Sequence, residues 1–333
     1  MANAGTTQKR PRSLQNRLFI LLLVFAALSS VAKDFDRLQT LSSGVRGLTS
    51  SWFRIGETVY ASGTSPAEKS CSEALGELAK TEEFRWTGVV GAGQSIEIKG
   101  LNGGINAEPA GGREIEVIAI KKAHRSDVAS VSIKVVPHAN GVTICAVYPS
   151  DDPGRPNTCE PGRGIALANG ARNDRGNSSG DNTVRNNDVT VNFVLRVPAG
   201  VEFIGRTVNG EISASSLAGN VDSHTVNGSI NISTTGYARA KTVNGEITAK
   251  MGDSNWTDAL EFRTVNGSID LDLPANLSTK IEADTFNGDV LSDFPLTIPG
   301  RANRRHLSGT IGGGGRELVI KTLNGSIHLR HIG

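Results

Sequence analysis

The sequence predicts an all-β fold, a β-solenoid, on three observations. The tetrapeptide Thr-Val-Asn-Gly recurs at Thr207–Gly210, Thr225–Gly228, Thr242–Gly245 and Thr264–Gly267. Variants follow at Thr285-Phe286-Asn287-Gly288 and Thr322-Leu323-Asn324-Gly325. Each copy is followed by a polar residue and then an aliphatic one: Ile212, Ile230, Ile247, Ile269, Val290 and Ile327. A finer period of about nine residues joins Val208-Asn-Gly-Glu-Ile212 to Leu217-Ala-Gly-Asn-Val221 and then to Val226-Asn-Gly-Ser-Ile230. One unit is therefore a strand and a corner, and two units make a repeat too small to fold alone, which must stack on its neighbours.

The tetrapeptide suits a corner. Asn tolerates positive φ, Gly has no Cβ to clash there, and the flanking Thr, Val and Ile favour strands. Rungs ~4.8 Å apart would stack Val208, Val226, Val243, Val265, Phe286 and Leu323 as one inward column. Asn209, Asn227, Asn244, Asn266, Asn287 and Asn324 would form a structural ladder of side-chain amides, bonded from rung to rung. The steps between successive Thr positions are 18, 17, 22, 21 and 37 residues. The last is about twice the shortest, which points to a degenerate copy, with Leu296–Ile298 as its remnant. No carboxylate recurs in the frame of the calcium-binding nonapeptide repeat.

Residues 1–32 read as an export segment. Lys9, Arg10, Arg12 and Arg17 precede an uncharged apolar run from Leu18 to Ala32, which ends in the small residues Ser30-Val31-Ala32. This pattern serves either as a cleaved signal or as a retained membrane anchor. In residues 33–83, Leu38, Leu41, Val45, Leu48, Trp52, Ile55 and Val59 keep a 3-4 spacing. That spacing reads either as the seam of an amphipathic helix, with 38–59 as a homo-oligomer contact, or as a Ser- and Gly-rich spacer that shows it by chance. A linker and a short helix over Ser72–Glu83 complete the segment.

Strand patterns begin at Phe84, giving a solenoid domain over 84–333. Ser95–Ile98, Glu114–Ile118 and Val131–Val135 alternate, Gly141–Tyr148 and Val189–Val197 follow, and Leu101-Asn102-Gly103-Gly104-Ile105 is an imperfect seventh repeat. Residues 149–187 form a long loop insertion rich in Gly, Asn, Asp, Pro and Arg; loops of that length are usually functional or disordered. Cys145 and Cys159 bracket its start. In an exported chain they would form a disulfide pinning the loop base, leaving Cys71 unpaired. Arg155, Arg163, Arg172, Arg175 and Arg185 are candidate contacts for an anionic ligand, or simply solvated charge.

Several separate motifs, in order, carry a family resemblance: Phe84-Arg-Trp86, Gln94–Lys99 with Leu101-Asn-Gly103, Gly141–Pro149, Arg196-Val-Pro-Ala-Gly200 and the Thr-Val-Asn-Gly series. Over residues 84–333 the chain resembles the bacterial β-strand-repeat proteins called "putative adhesins", a domain family of unknown function related to the head domains of autotransporter-like adhesins. The resemblance implies a β-solenoid in a bacterial cell envelope and supplies no catalytic residues.

Charge is nearly balanced, with 35 basic and 33 acidic residues, which argues against a nucleic-acid partner. No metal-ligand spacing surrounds the cysteines, and the sequence implies no cofactor. The expected role is non-enzymatic: an exported protein, periplasmic, at the cell surface or anchored facing outward, offering a rigid adhesive or scaffolding surface to envelope polysaccharide or a protein partner. The first alternative is a carbohydrate-active lyase or hydrolase, with Asp270, Asp272, Asp284 and Asp289 as the carboxylates. The second is an envelope-stress sensor.

Overall fold

The computed structural model describes residues 80–150, 154, 156–162, 187–298 and 303–332. The helix and oligomer contact expected at 38–59, the export segment and Cys71 lie outside these residues. The chain runs through β1 (Lys80–Val89), β2 (Ser95–Lys99), β3 (Ile105–Pro109) and β4 (Glu114–Ala123). After one 3-10 turn come β5 (Ser132–His138), β6 (Gly141–Val147) and, beyond the long insertion, β7 (Thr190–Val197). Then follow β8 (Glu202–Arg206), β9 (Ile212–Leu217), β10 (Val221–His224), β11 (Ile230–Thr234), β12 (Ala238–Lys241), β13 (Ile247–Met251), β14 (Leu260–Arg263) and β15 (Ile269–Pro274). The last are β16 (Thr279–Asn287), β17 (Val290–Ser292), β18 (Leu296–Thr297), β19 (His306–Ile311), β20 (Glu317–Asn324) and β21 (Ile327–Ile332).

These strands form two layers in a solenoid-like stack. One sheet has the order β1-β4-β7-β3-β9-β11-β13-β15-β21-β17, and the other β18-β19-β16-β20-β14-β12-β10-β8-β2-β6-β5. We call them sheet A and sheet B. Each Asn-Gly corner carries the chain from a strand of sheet B to one of sheet A, so one repeat is one rung. Within the stack the pairings are parallel, and antiparallel strands close both ends: β1, β4 and β5 at one, β18 and β19 at the other. Closing the ends limits the free sheet edges through which repeat folds would otherwise aggregate.

The core follows the aliphatic residue after each corner. Ile105, Ile212, Ile230, Ile247, Ile269 and Ile327 pair in register along sheet A, and all are buried. On sheet B the matching row includes Ile96, Phe203, Val221, Leu260, Leu318 and Ile281. Buried on the facing surfaces of two sheets, side chains of this size contribute about 1.5–3 kcal/mol each.

Three expectations are corrected. The inward column at the corner is formed by Thr. Thr207, Thr225, Thr242, Thr264, Thr285 and Thr322 are buried, whereas Val226, Val243, Val265 and Leu323 are half-buried and Phe286 is 49% exposed. Only Val208 of the expected apolar column is buried. Strand parity explains this: Phe203, Gly205 and Thr207 point inward, so the Val one step later meets the corner's outer side. The inward Thr is not left unsatisfied. Each hydroxyl donates to the carbonyl of the Gly in the adjacent rung: Thr225 to Gly210 (2.9 Å), Thr242 to Gly228 (2.9 Å), Thr264 to Gly245 (3.0 Å) and Thr322 to Gly267 (2.9 Å). Thr242→Val keeps the shape and removes the donor to the Gly228 carbonyl. It should cost about 1–3 kcal/mol, read as a lower denaturation midpoint. The outward Thr248→Val should stay within about 0.5 kcal/mol of wild type.

Second, no degenerate copy accounts for the 37-residue step. The chain places β16 and β17 one rung too far along, and the C-terminal β20 and β21 fill the vacant slot between them and β14 and β15. Leu296–Thr297 pairs antiparallel with β19 in the end cap, so it is not a remnant rung. Third, the short helix expected over Ser72–Glu83 does not extend to its end. Lys80–Glu83 are strand, in register with Ala123–Ile120 of β4, and the Lys121 ammonium holds Glu82 at 2.8 Å. Cross-strand pairing outweighs the local helical pattern there, and strand is present from Lys80, the first described residue, ahead of Phe84.

Candidate functional site

Four surfaces surround the stack: the Asn-Gly corner, the outer faces of sheets A and B, and the opposite edge, where turns such as Ala218–Asn220 return the chain from sheet A to sheet B. At the corner, each Asn side-chain N–H donates to the amide oxygen of the adjacent rung. Asn209 donates to Asn102, Asn227 to Asn209, Asn244 to Asn227 and Asn266 to Asn244, all at 2.8 Å. Asn324 then donates to Asn266 and Asn287 to Asn324, both at 2.7 Å. The rung exchange at the C-terminus inverts the order of the last two. Asn102 of the imperfect copy is the first member.

The corner's backbone differs from the expected one. Among the described residues the single non-glycine with positive φ is Ser216, so none of these Asn residues is left-handed. Gly is required by the close approach of rungs. A Cβ on Gly228 would lie 2.1 Å from the Gly210 carbonyl oxygen, and one on Gly245 would lie 2.1 Å from that of Gly228.

The rung before Asn102 runs from β6 to β7, and there the Asn-Gly corner is replaced by the insertion. Its base is held at several points. Cys145 and Cys159 are joined by a disulfide with a Cα–Cα distance of 5.7 Å. Tyr148 donates to the Val189 carbonyl at 2.8 Å, and burial pushes its phenol up. Asn157 donates to the Tyr148 carbonyl at 3.0 Å. On the returning side the Asp188 carboxylate accepts from the backbone N–H groups of His124, Arg125 and Ser126 at 3.1, 2.9 and 2.7 Å. These bonds, with that of the Ser126 side chain foremost, hold Asp188 well below the usual carboxylate range.

Held in this way, residues 156–162 cover the outer face of β6 and β2 and bury charge there. Glu97 accepts from Thr143 Oγ1 and Gly162 N, both at 2.9 Å, and from Arg206 Nε at 3.1 Å. Lys99 Nζ lies 3.4 Å from Glu97 and donates to the Glu160 carbonyl at 2.6 Å. The Lys99 side chain is fully buried, and that burial drives its ammonium below the usual range against the pull of Glu97. Cys159→Ser should release this cover. A loop of this length corresponds to about 3 kcal/mol in the chain-entropy model. The variant should melt earlier, and Lys99 should become open to amine-directed labelling that the wild-type chain resists.

Beyond the cover, sheet B carries a registered row of Lys99, Arg206, His224, Lys241, Arg263 and Lys321. Acids in the neighbouring row compensate it. Asp222 meets His224 at 2.8 Å and Arg206 at 3.6 Å, Glu261 pairs with Lys241 and Arg263, and Glu282 meets Lys321 at 2.7 Å. Burial works to raise Asp222 and Glu261, yet these partners outweigh it and hold both below the usual range.

Sheet A has a different outer face. Asn106, Ser213, Asn231 and Thr248 follow one another in register and carry no charge; Asp270 and His328 continue the row. Asp270 bonds His328 at 2.9 Å, and Asp272 accepts from Arg330 at 2.8 Å. Asp284 sits on the outer face of sheet B, paired with His306 and Lys321, and Asp289 lies beside the last corner. The four carboxylates proposed for catalysis are thus spread over two faces and a corner. No group of three or more His, Cys, Asp or Glu capable of holding a metal occurs among the described residues. No helix among them is long and apolar enough to cross a membrane. Arg155, Arg163, Arg172, Arg175 and Arg185 lie outside the described residues.

Sequence reasoning missed the Thr–Gly bonds and the Glu97–Lys99–Arg206 cluster. The first was written in the invariant Thr opening every tetrapeptide. The second had no local signal, because the segment that buries it comes from some sixty residues away.

The chain has no match among curated proteins. Two solved structures resemble it. One is titled a "putative cell adhesion protein" from Clostridium sporogenes ATCC 15579, with 13% identity and a TM-score of 0.40 over 75% of this chain and 100% of that one. The other is a "putative adhesin" from Bacteroides fragilis NCTC 9343, with 11% identity and a TM-score of 0.25 over 75% of this chain and 97% of that one. A family profile described as Toastrack DUF4097 matches residues 155–330. With more than half of its length in that match, the chain belongs to the Toastrack DUF4097 family.

Proposed function

We propose that this is a non-enzymatic envelope protein whose stacked rungs present a rigid surface to an extended polymer or a protein partner. The observation that carries the reading is the outer face of sheet A. Asn106, Ser213, Asn231 and Thr248 form an uncharged row of hydrogen-bonding side chains, repeated at the strand spacing of ~4.8 Å. Such a row makes many weak, equivalent contacts, and a rigid stack loses little entropy in making them together. Sheet B suits this role less well, because its row is charged and most of those charges are ion-paired, whereas the sheet A row is uncharged, with Asn106 and Asn231 engaged by Glu108 and Glu211. The export pattern of residues 1–32 supports a location outside the cytoplasm, and the Arg-rich insertion leaves from the end of the same stack.

The test is retention of residues 80–333 by cell-wall and exopolysaccharide fractions and by envelope protein extracts, with the same mixtures assayed for new sugar ends. Saturable retention without product, lost in an Asn231→Arg/Thr248→Arg double variant of unchanged melting temperature, is the expected result. Retention that survives those changes moves the contact away from sheet A. New sugar ends abolished by Asp270→Asn would replace the reading with the carbohydrate-active enzyme.

A further inference from the structure

The seven Asn-Gly pairs of the ladder are chemically alike but unequally held. An Asn-Gly pair is prone to lose ammonia, because no side chain hinders attack by the Gly nitrogen on the Asn side-chain carbonyl. Six pairs are held against that attack. The N–H of Gly103 donates to the Asn209 carbonyl, Gly210 to Asn227, Gly228 to Asn244, Gly245 to Asn266, Gly267 to Asn324 and Gly325 to Asn287, at 2.8–3.0 Å. In the same six, the Asn amide oxygen accepts from the next Asn. Both the attacking nitrogen and the carbonyl under attack are committed to the following rung.

Asn287-Gly288 has no following rung. The N–H of Gly288 and the amide oxygen of Asn287 have no partner among the described residues, and the Asn287 side chain is exposed to water. Its one ladder bond is the donation from Nδ2 to Asn324 at 2.7 Å.

We propose that Asn287 is a site of spontaneous deamidation, set apart from its six equivalents by its place at the open end of the ladder. The Gly288 nitrogen bonds to Cγ of Asn287. The Cγ–Nδ2 bond breaks, and Nδ2 leaves as ammonia with the proton from the Gly288 N–H. Water then opens the five-membered imide at either carbonyl, giving aspartate or isoaspartate at position 287. The product places a carboxylate close in sequence to Asp289, removes the donor to Asn324 and loosens β17 at the sheet edge.

The test is incubation of the folded full chain at mildly alkaline pH, with peptide mapping at intervals and isoaspartate detection. Conversion at Asn287 should run at least about tenfold faster than at Asn102, Asn209, Asn227, Asn244, Asn266 or Asn324, since each of those must first break two rung-to-rung bonds. In denaturant the seven rates should converge, which shows that the fold sets the difference. Conversion of any of the six at the rate of Asn287 would overturn the proposal. So would an intact Asn287 over a period in which the denatured chain converts there.

Discussion

Gly245→Ala is expected to be among the most damaging single-methyl substitutions in the chain, with a loss of about 3 kcal/mol or more. The added Cβ would lie 2.1 Å from the Gly228 carbonyl oxygen and 2.5 Å from its carbon. Both are backbone atoms of the adjacent rung, so no side chain can rotate aside. Relief requires the rungs to part, and parting them stretches everything that crosses the same gap. The Thr242 hydroxyl donates to the Gly228 carbonyl, Asn244 to Asn227 through their side-chain amides, and Gly228 N to the Asn244 carbonyl. In a quasi-one-dimensional stack a weakened central interface divides the cooperative unit. Thermal unfolding should therefore move to lower temperature and broaden or split. Gly112→Ala is the matched control: nothing lies within 4 Å of its added Cβ, and its melting curve should overlay that of wild type. A Gly245→Ala protein with an unchanged midpoint would mean that the rungs are not in the contact described.

The same corner shows what a sequence can and cannot convey here. Asn-Gly at each repeat was enough to place the rungs and the amide ladder, because both follow from local chemistry repeated in register. The reason for Gly was not legible. Positive φ is the usual demand on Asn-Gly, whereas the demand here comes from a neighbouring rung's carbonyl, which no single copy reveals. The Thr column was misassigned for a related cause: Thr and Val both suit a strand, and the choice between them is made by parity through a corner whose geometry is set by stacking. The rung order at the C-terminus was hidden because spacing along the chain carries no information on which slot a strand enters. Residues 317–332 fill a gap left by an earlier pair, and the 37-residue step contains a cap hairpin where a faded repeat was expected. Glu97 alternates with Ile96 and Ile98 as an outward residue should, and it is buried only because a segment pinned by Cys159 covers it.

Glu97→Gln is expected to cost about 3–5 kcal/mol at neutral pH, the range for breaking a buried ion pair by removing one partner. The amide keeps the shape but leaves the Lys99 ammonium buried without its counter-charge, and it weakens the bonds from Arg206 and Thr143. The pH dependence identifies the cause. Burial already holds the folded Lys99 below its ordinary range, and Glu97 opposes that shift. Between its folded value and the unfolded value of about 10.4, the unfolded chain carries a proton at Lys99 that the folded chain does not. Stability from this residue therefore rises with pH across that window. Removing Glu97 drives the folded value further down, so in Glu97→Gln the window should open nearer neutrality and the deficit against wild type should shrink as pH rises toward 10. Glu97→Gln/Lys99→Met removes the stranded charge and should recover most of the loss at pH 7. It should also abolish the alkaline gain. A deficit that is constant with pH, or a double variant no better than the single, would show that Glu97 contributes through its bonds to Arg206, Thr143 and the Gly162 backbone, with no share from the charge of Lys99.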